Sequence, residues 1–389
     1  MRLEFSAYSF CILLLFCVFS LLYKTQIGRK YALFFIGSTA SLALLAFFFD
    51  PVQAWIGNGD YTDLYRFYMD MHAFGIYGWN ASSSHFQTAY DNIPVIKVLV
   101  YLVARVGSYG LLAAISAGLV YGLTARVLAQ VHLDLKLRSR SVVLAFMVFV
   151  ALTNYKVMIT NIRMPIGMAL FLLLIYYDLV EGKRNLLVLV GYLSLCAIHS
   201  VFLLFLLFRV LAAMAGKYSM KFILTLAVFS GLFLSAFAAI LERFGSGAYV
   251  ATILTKIDFY TQGDKANYFE LPIVILGVVK VLFILLLLAD YRKHNLVRTD
   301  KMYRMYQISC IVTAFCVGAI WNYYLFMRLT NFLCFLIAFW VCFYFQRKRK
   351  RKSKKKMFKC SVDELFVFLA VFAHLGYYFL SYQYRVLCF

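Results

Sequence analysis

The chain has 389 residues, of which 64% are hydrophobic and only 14% charged, and 39 Lys and Arg against 17 Asp and Glu give a net charge of +22. A soluble domain of this length needs far more polar surface to cover its core, so a water-soluble fold is excluded. On a soluble protein this basic balance would point to nucleic acid; here the excess falls between apolar blocks, as it does on the cytoplasmic loops of membrane proteins.

The apolar residues come in blocks about 16–22 long, the length that crosses the hydrocarbon layer as a helix. Backbone groups in lipid must be satisfied internally, and no alternating strand pattern is present, so helices rather than a barrel are expected. The reading is an all-α, polytopic integral membrane protein with about 11–12 transmembrane helices in a single membrane domain over residues 1–389. The first block, 5–23, follows Met1 without a small-residue cleavage signature and reads as a retained span. The second is 31–49. A long loop, 50–92, follows and contains Asp60, Tyr61, Thr62, Asp63, Leu64, Tyr65 and Arg66. If helical, Asp63 and Arg66 share a face at i, i+3, with Asp70 one turn further. Such a face could hold a carboxylate near a sugar hydroxyl, or it could be an interfacial helix with a tyrosine belt.

Segment 93–129 is too long for one simple span and holds Lys97, Arg105 and Gly107, which suggests a re-entrant helix followed by a full crossing. Block 141–160 leads to Asn161, Ile162, Arg163, Met164 and Pro165. Proline favours the first turn of a helix, so a new helix is expected there, its free amides beside Arg163. That is an anion site suited to a phosphate or pyrophosphate. The bland alternative is an arginine reaching lipid phosphates. Lys156 lies two turns earlier.

Blocks 164–180, 185–198 and 200–215 follow, the last two meeting at His199. A histidine at membrane depth is uncommon and often functional, and imidazole exchanges protons near neutral pH. It could equally be a structural joint between two half-helices. Beyond block 221–241 comes 271–289, with Lys280 near its middle, where a charge is costly unless paired or hydrated. Block 305–320 leads to the turn 321–328, which ends at Arg328 as block 329–346 begins. The loop 346–359 carries the run Arg347 to Lys356 (RKRKRKSKKK), and 362–380 is the last block. The run could bind anionic lipid or simply stop transfer.

The loops 24–30, 131–140, 181–184, 217–221, 291–304 and 346–359 hold 25 of the 39 basic residues and alternate correctly with the crossings. They are assigned to the cytoplasm, which makes 346–359 a basic cytoplasmic loop and leaves 50–92, Arg163, His199, Arg328 and both termini outside. The nine cysteines show no metal or disulfide spacing. There is no DxD pair, P-loop or GxSxG, so neither metal, cofactor nor nucleotide sugar is indicated.

The segment Arg163 to Phe171 (RMPIGMALF), the basic turn Glu181 to Arg184, and Ala197 to Val201 (AIHSV) resemble the EpsG/Wzy family of bacterial polysaccharide polymerases. Asp60 to Tyr68 is similar to that family's Asp-x-x-x-Tyr stretch, and Arg328 sits where a late arginine precedes the closing spans. The resemblance implies a glycosyltransferase of the bacterial inner membrane that needs no nucleotide. It would move a growing glycan from undecaprenyl pyrophosphate to a lipid-linked repeat unit outside, alongside a flippase and a chain-length regulator and without nucleic acid. Arginines would bind the charge developing on the leaving pyrophosphate, with Arg163, Arg328, Arg66, Arg105 and Lys280 as candidates. His199, Asp60 and Asp63 are candidates for the base. The alternatives are a flippase for lipid-linked oligosaccharides and an O-antigen ligase-like transferase.

Overall fold

The structure is a computed structural model that describes residues 31–52, 62–80, 94–108, 110–199, 201–215, 219–232, 270–294 and 300–351, together with 243 and 374. The expected spans 5–23 and 362–380, Asp60, and the basic run beyond Arg351 lie outside the described residues. Every described element is helical, with no strand among these residues. Five segments are long and apolar enough to cross a membrane: Gly110–Asp134, Arg163–Val180, Leu271–His294, Met302–Trp321 and Tyr323–Gln346. The chain is an all-α, polytopic membrane protein, and it divides into two compact units.

The first unit comprises residues 1–173, 189–199 and 374–389. Its described helices are α1 (Tyr31–Phe47), α2 (Asp63–Tyr77), α3 (Pro94–Val106), α4 (Gly110–Asp134), α5 (Ser139–Leu152), α6 (Tyr155–Thr160), most of α7 (Arg163–Ile175) and most of α8 (Leu186–Ile198). Helix α1 packs along α4. Small residues make this close approach possible. A Cβ on Gly122 would lie 3.4 Å from Thr39 and one on Gly118 would lie 3.9 Å from Ala43, while at Gly110 it would meet the Phe47 carbonyl oxygen at 2.0 Å. Gly118 and Gly122 form a GxxxG pair, and α1 answers with the buried stripe Phe34, Phe35, Ser38, Leu42 and Ala46.

Segment 93–129 is indeed two helices. Pro94 opens α3, a position that needs no amide donor, and Gly107, at φ +76°, turns the chain into α4. Block 141–160, by contrast, is not one helix. Helix α5 is buried from Val142 to Leu152 at every position but Leu144, and it stops at Thr153, whose hydroxyl bonds back to the Phe149 carbonyl at 2.9 Å. Asn154 then caps α6 by accepting the Val157 amide at 3.2 Å. Such a break survives in an apolar setting only if neighbours satisfy polar groups. Here Tyr155 donates to the Leu42 carbonyl at 2.6 Å and Ser116 to the Met158 carbonyl at 2.7 Å.

The second unit comprises residues 174–188 and 200–373. It holds the end of α7 with a π-helical turn (Tyr176–Val180), α9 (Phe202–Met214), α10 (Met220–Leu232), α11 (Leu271–His294), α12 (Asp300–Gly318) and α13 (Tyr323–Arg351). Helix α13 is buried without interruption from Phe332 to Tyr344, as a core helix with an apolar circumference must be. Helix α11 packs against it, and a Cβ on Gly277 would come 2.5 Å from the Phe326 ring. Trp340 donates its indole N–H to Ser309 at 2.9 Å, so its polar edge is satisfied in this core. The turn expected over 321–328 is shorter than the sequence suggests. Asn322 accepts the Leu325 amide at 3.0 Å and starts α13, so Arg328 lies inside the helix. Helix α13 also runs on to Arg351, into the expected loop 346–359.

Candidate functional site

The segment after Thr62 becomes helical because Thr62 caps it, its hydroxyl accepting the Tyr65 amide at 3.3 Å. Leu64, Phe67, Met71 and Phe74 form the buried stripe of α2, which packs on α3 and α6. That burial fixes the helix's rotation and places Asp63 in its first turn, where a carboxylate suits the positive end of the dipole. Helix α7 begins at Arg163 with Pro165 in its first turn, as expected.

These two helix starts meet. Arg163 donates from Nη2 to Asp63 Oδ2 at 3.1 Å across 100 residues of sequence. Arg66 Nη1 lies 3.9 Å from the other oxygen, Asp63 Oδ1. One carboxylate is thus shared by two guanidiniums. The side chains of Arg163 and Asp63 are 13% and 20% exposed, so the pair is sheltered yet reachable. Lys156, on α6, is buried in the same unit. Arginine forks suit the oxygens of a phosphate, which makes this cluster a candidate anion site.

The other expected residues are placed as follows. His199 ends α8 in the first unit, half-buried, its amide bonded to the Leu195 carbonyl at 3.1 Å. Arg105 is exposed on α3 and lies over the Tyr101 ring, with its Nε donating to the phenol oxygen at 3.1 Å. Arg328 is half-buried in the second unit. Lys280 is buried on α11 against the thiol of Cys334, with Cys316 nearby. Among the described residues, no group of three or more His, Cys, Asp or Glu is arranged to hold a metal ion.

Sequence reading missed a second ionic cluster, in the second unit. Asp178 lies in the π turn and is buried. Arg209 of α9 grips it with two donors, Nε to Oδ2 and Nη2 to Oδ1, the latter at 3.1 Å. Arg184 donates to Oδ1 at 3.3 Å. Gly182, at φ +74°, lets the turn fold back so that the Lys183 amide reaches the Tyr177 carbonyl at 2.9 Å. The signal was legible: Arg209 interrupts an apolar block, and a charge in such a block needs a partner.

Compared with protein-family models, curated proteins and solved structures, the chain matches none.

Proposed function

We propose that the chain is a polysaccharide repeat-unit polymerase of the Wzy type. It transfers a growing glycan from undecaprenyl pyrophosphate to a lipid-linked repeat unit at the external face of a bacterial inner membrane. One observation carries this reading: Arg163 and Asp63, singled out separately along the sequence, form one sheltered ion pair with Arg66 beside it. The reaction needs cations for the charge that develops on the diphosphate and a base for the acceptor hydroxyl. Arg163 and Arg66 suit the first task, and Asp63, His199 and Asp60 are the candidates for the second. Arg328, Arg105 and Lys280 are candidates for further contacts to the two lipid-linked substrates. The topology that goes with this reading has about 11–12 crossings with both termini outside, from the distribution of basic loops. A flippase and a chain-length regulator are the partners it calls for.

The test is glycan length in cells. Arg163→Ala should reach the membrane at the normal level but leave surface glycans one repeat unit long. Long chains from that variant would remove Arg163 from the reaction. Lipid-linked units accumulating on the cytoplasmic side would instead mark the protein as a flippase. A reporter fusion that placed residue 163 in the cytoplasm would overturn both the topology and the proposed site.

A further inference from the structure

Helix α3 has 13 residues, among them two cations and no acid. A helix of that length is about 20 Å long, short of the hydrocarbon layer's thickness of about 30 Å. Its residues fall into three stripes. Ile96, Val100 and Val103 are buried, and the helix packs against α2. Val98, Leu102 and Val106, spaced four apart, form a second stripe that is apolar yet exposed. Lys97, Tyr101 and Arg105 are also spaced four apart and form a third stripe directly beside the second. In a membrane protein an exposed apolar stripe faces acyl chains, and basic side chains at its edge reach up to lipid phosphates. Aromatic rings mark the same level, as they do where a bilayer meets water. Trp79, exposed just beyond the end of α2, meets Tyr101 edge-on at 5.1 Å, and Lys97 Nζ lies 5.0 Å from the Trp79 ring centre. Arg105 is exposed over the Tyr101 ring and donates to its phenol oxygen at 3.1 Å. A neutral phenol steadies the guanidinium without cancelling its charge, so the charge acts on what lies outside the protein.

Independently of the polymerase reading, we propose that α3 lies flat in the headgroup region of one leaflet and holds the phosphate of an anionic bilayer lipid at Arg105, beside Lys97. Val98, Leu102 and Val106 then rest on that leaflet's acyl chains, and the stripe of Ile96, Val100 and Val103 keeps the helix fastened to the protein. The occupant is a resident lipid because the cations and the apolar stripe adjoin along the whole helix, which matches a charged headgroup set above its own hydrocarbon tails. This gives Arg105, a candidate above for contacts to the lipid-linked substrates, a partner in the bilayer itself. A helix standing on end would serve these residues badly. Lys97 and Arg105 are eight residues apart, so one of them would sit about 12 Å deeper than the other. A charge drawn that far into hydrocarbon is costly.

The experiment places the full chain in nanodiscs of phosphatidylcholine with a minor share of phosphatidylglycerol. Benzoylphenylalanine, encoded in place of Leu102, captures neighbouring lipid on illumination, and mass spectrometry reads the headgroup. Phosphatidylglycerol should be captured about fivefold above its share of the bilayer, the effect of one cation at the surface. Arg105→Gln should lower capture towards that share, whereas Arg105→Lys, which keeps the charge, should retain most of it. Capture in proportion to the bilayer overturns the lipid site, and so does an Arg105→Gln variant that captures as the parent does. Loss of capture on adding undecaprenyl diphosphate also overturns it, because Arg105 would then belong to the substrate. Should Arg105→Gln not purify as folded protein, salt supplies the test on the parent: the enrichment must fall as ionic strength rises, and an enrichment that persists overturns the assignment. Orientation is read separately, from a spin-labelled amino acid encoded in place of Val98 or Val106. The two positions should report the same depth, just below the headgroups. A difference near the about 12 Å that separates them along the axis would stand the helix on end and overturn the proposal.

Discussion

Asp63 in the first unit and Asp178 in the second are each shared between two arginines, yet their settings differ. The Asp178 side chain is 4% exposed, and Arg209 reaches both of its oxygens. Asp63 is 20% exposed, and each of its oxygens faces a different guanidinium. The Asp178 cluster is closed: it ties the turn after α7 to α9, and the carboxylate's bonding capacity is spent inside the protein. The Asp63 cluster is looser, with Arg66 41% exposed at its edge. Buried ion pairs are costly to build and damaging to break, which suits a fixed joint; sheltered pairs that solvent can reach suit exchange. The contrast separates, on geometry alone, a closed clasp from a cluster that solvent can reach.

The largest expected effect comes from breaking the closed cluster. Asp178→Ala leaves Arg209 without its carboxylate, and removing one partner of a buried pair costs about 3–5 kcal/mol. Thermal unfolding followed by size exclusion should show most of the protein lost, whereas Asp63→Ala should survive the same treatment. Equal losses at the two sites would erase the distinction.

Replacing both partners by apolar residues sharpens it further. Asp178→Leu with Arg209→Met removes the charges together, a change that is often neutral for stability, and glycan length should stay normal. Asp63→Leu with Arg163→Met should also fold, but chain growth should fall by at least about 10²–10³-fold, as when a donor to developing charge is removed. A functional second-unit variant and a dead first-unit variant, both folded, is the expected outcome of the glycan-length assay.

Lys280 offers a third setting: a buried cation against thiols, in no ion pair with a carboxylate among the described residues. Burial of an amine without a carboxylate is unfavourable, so Lys280→Met, similar in length and apolar, should raise stability by about 1–3 kcal/mol. Lower stability in the unfolding assay would mean that the amine makes contacts worth more than its burial costs.

Local signals in the sequence were good guides to where helices begin. Pro165 after Arg163 and the join at His199 each mark a boundary found in the structure, whereas the cap at Thr62 was not read from the sequence. They work because capping and proline chemistry act within one turn. The break at Thr153 and Asn154 was hidden, since two small polar residues in an apolar block resemble tolerated helix positions. What makes them a break is Asn154 capping α6 and Tyr121 meeting the Thr153 hydroxyl at 3.4 Å from another helix. The turn before Arg328 was overestimated for the same reason, because the capping role of Asn322 is not evident from composition. The site was legible as parts: Asp63, Arg66 and Arg163 were each singled out, but a contact across 100 residues depends on how α2 and α7 pack. Asp178 was passed over because an acid at the end of an apolar block reads as an ordinary helix terminus.

The smallest expected effect tests how closed the second cluster is. Arg184 is 57% exposed and reaches only Oδ1, an oxygen that Arg209 also serves. Exposed partners contribute little because solvent screens them and holding a long side chain costs entropy, so Arg184→Gln should lower stability by no more than about 1 kcal/mol. Raising salt should remove most of that difference, since screening acts on the exposed guanidinium before it reaches a buried one. Arg209→Gln should behave in the opposite way, with a larger loss that persists in salt because Asp178 would lose both bonds to its less exposed arginine. If the two variants cost the same and respond alike to salt, the clasp is open to solvent after all, and its distinction from the Asp63 cluster would have to rest on chemistry instead of burial.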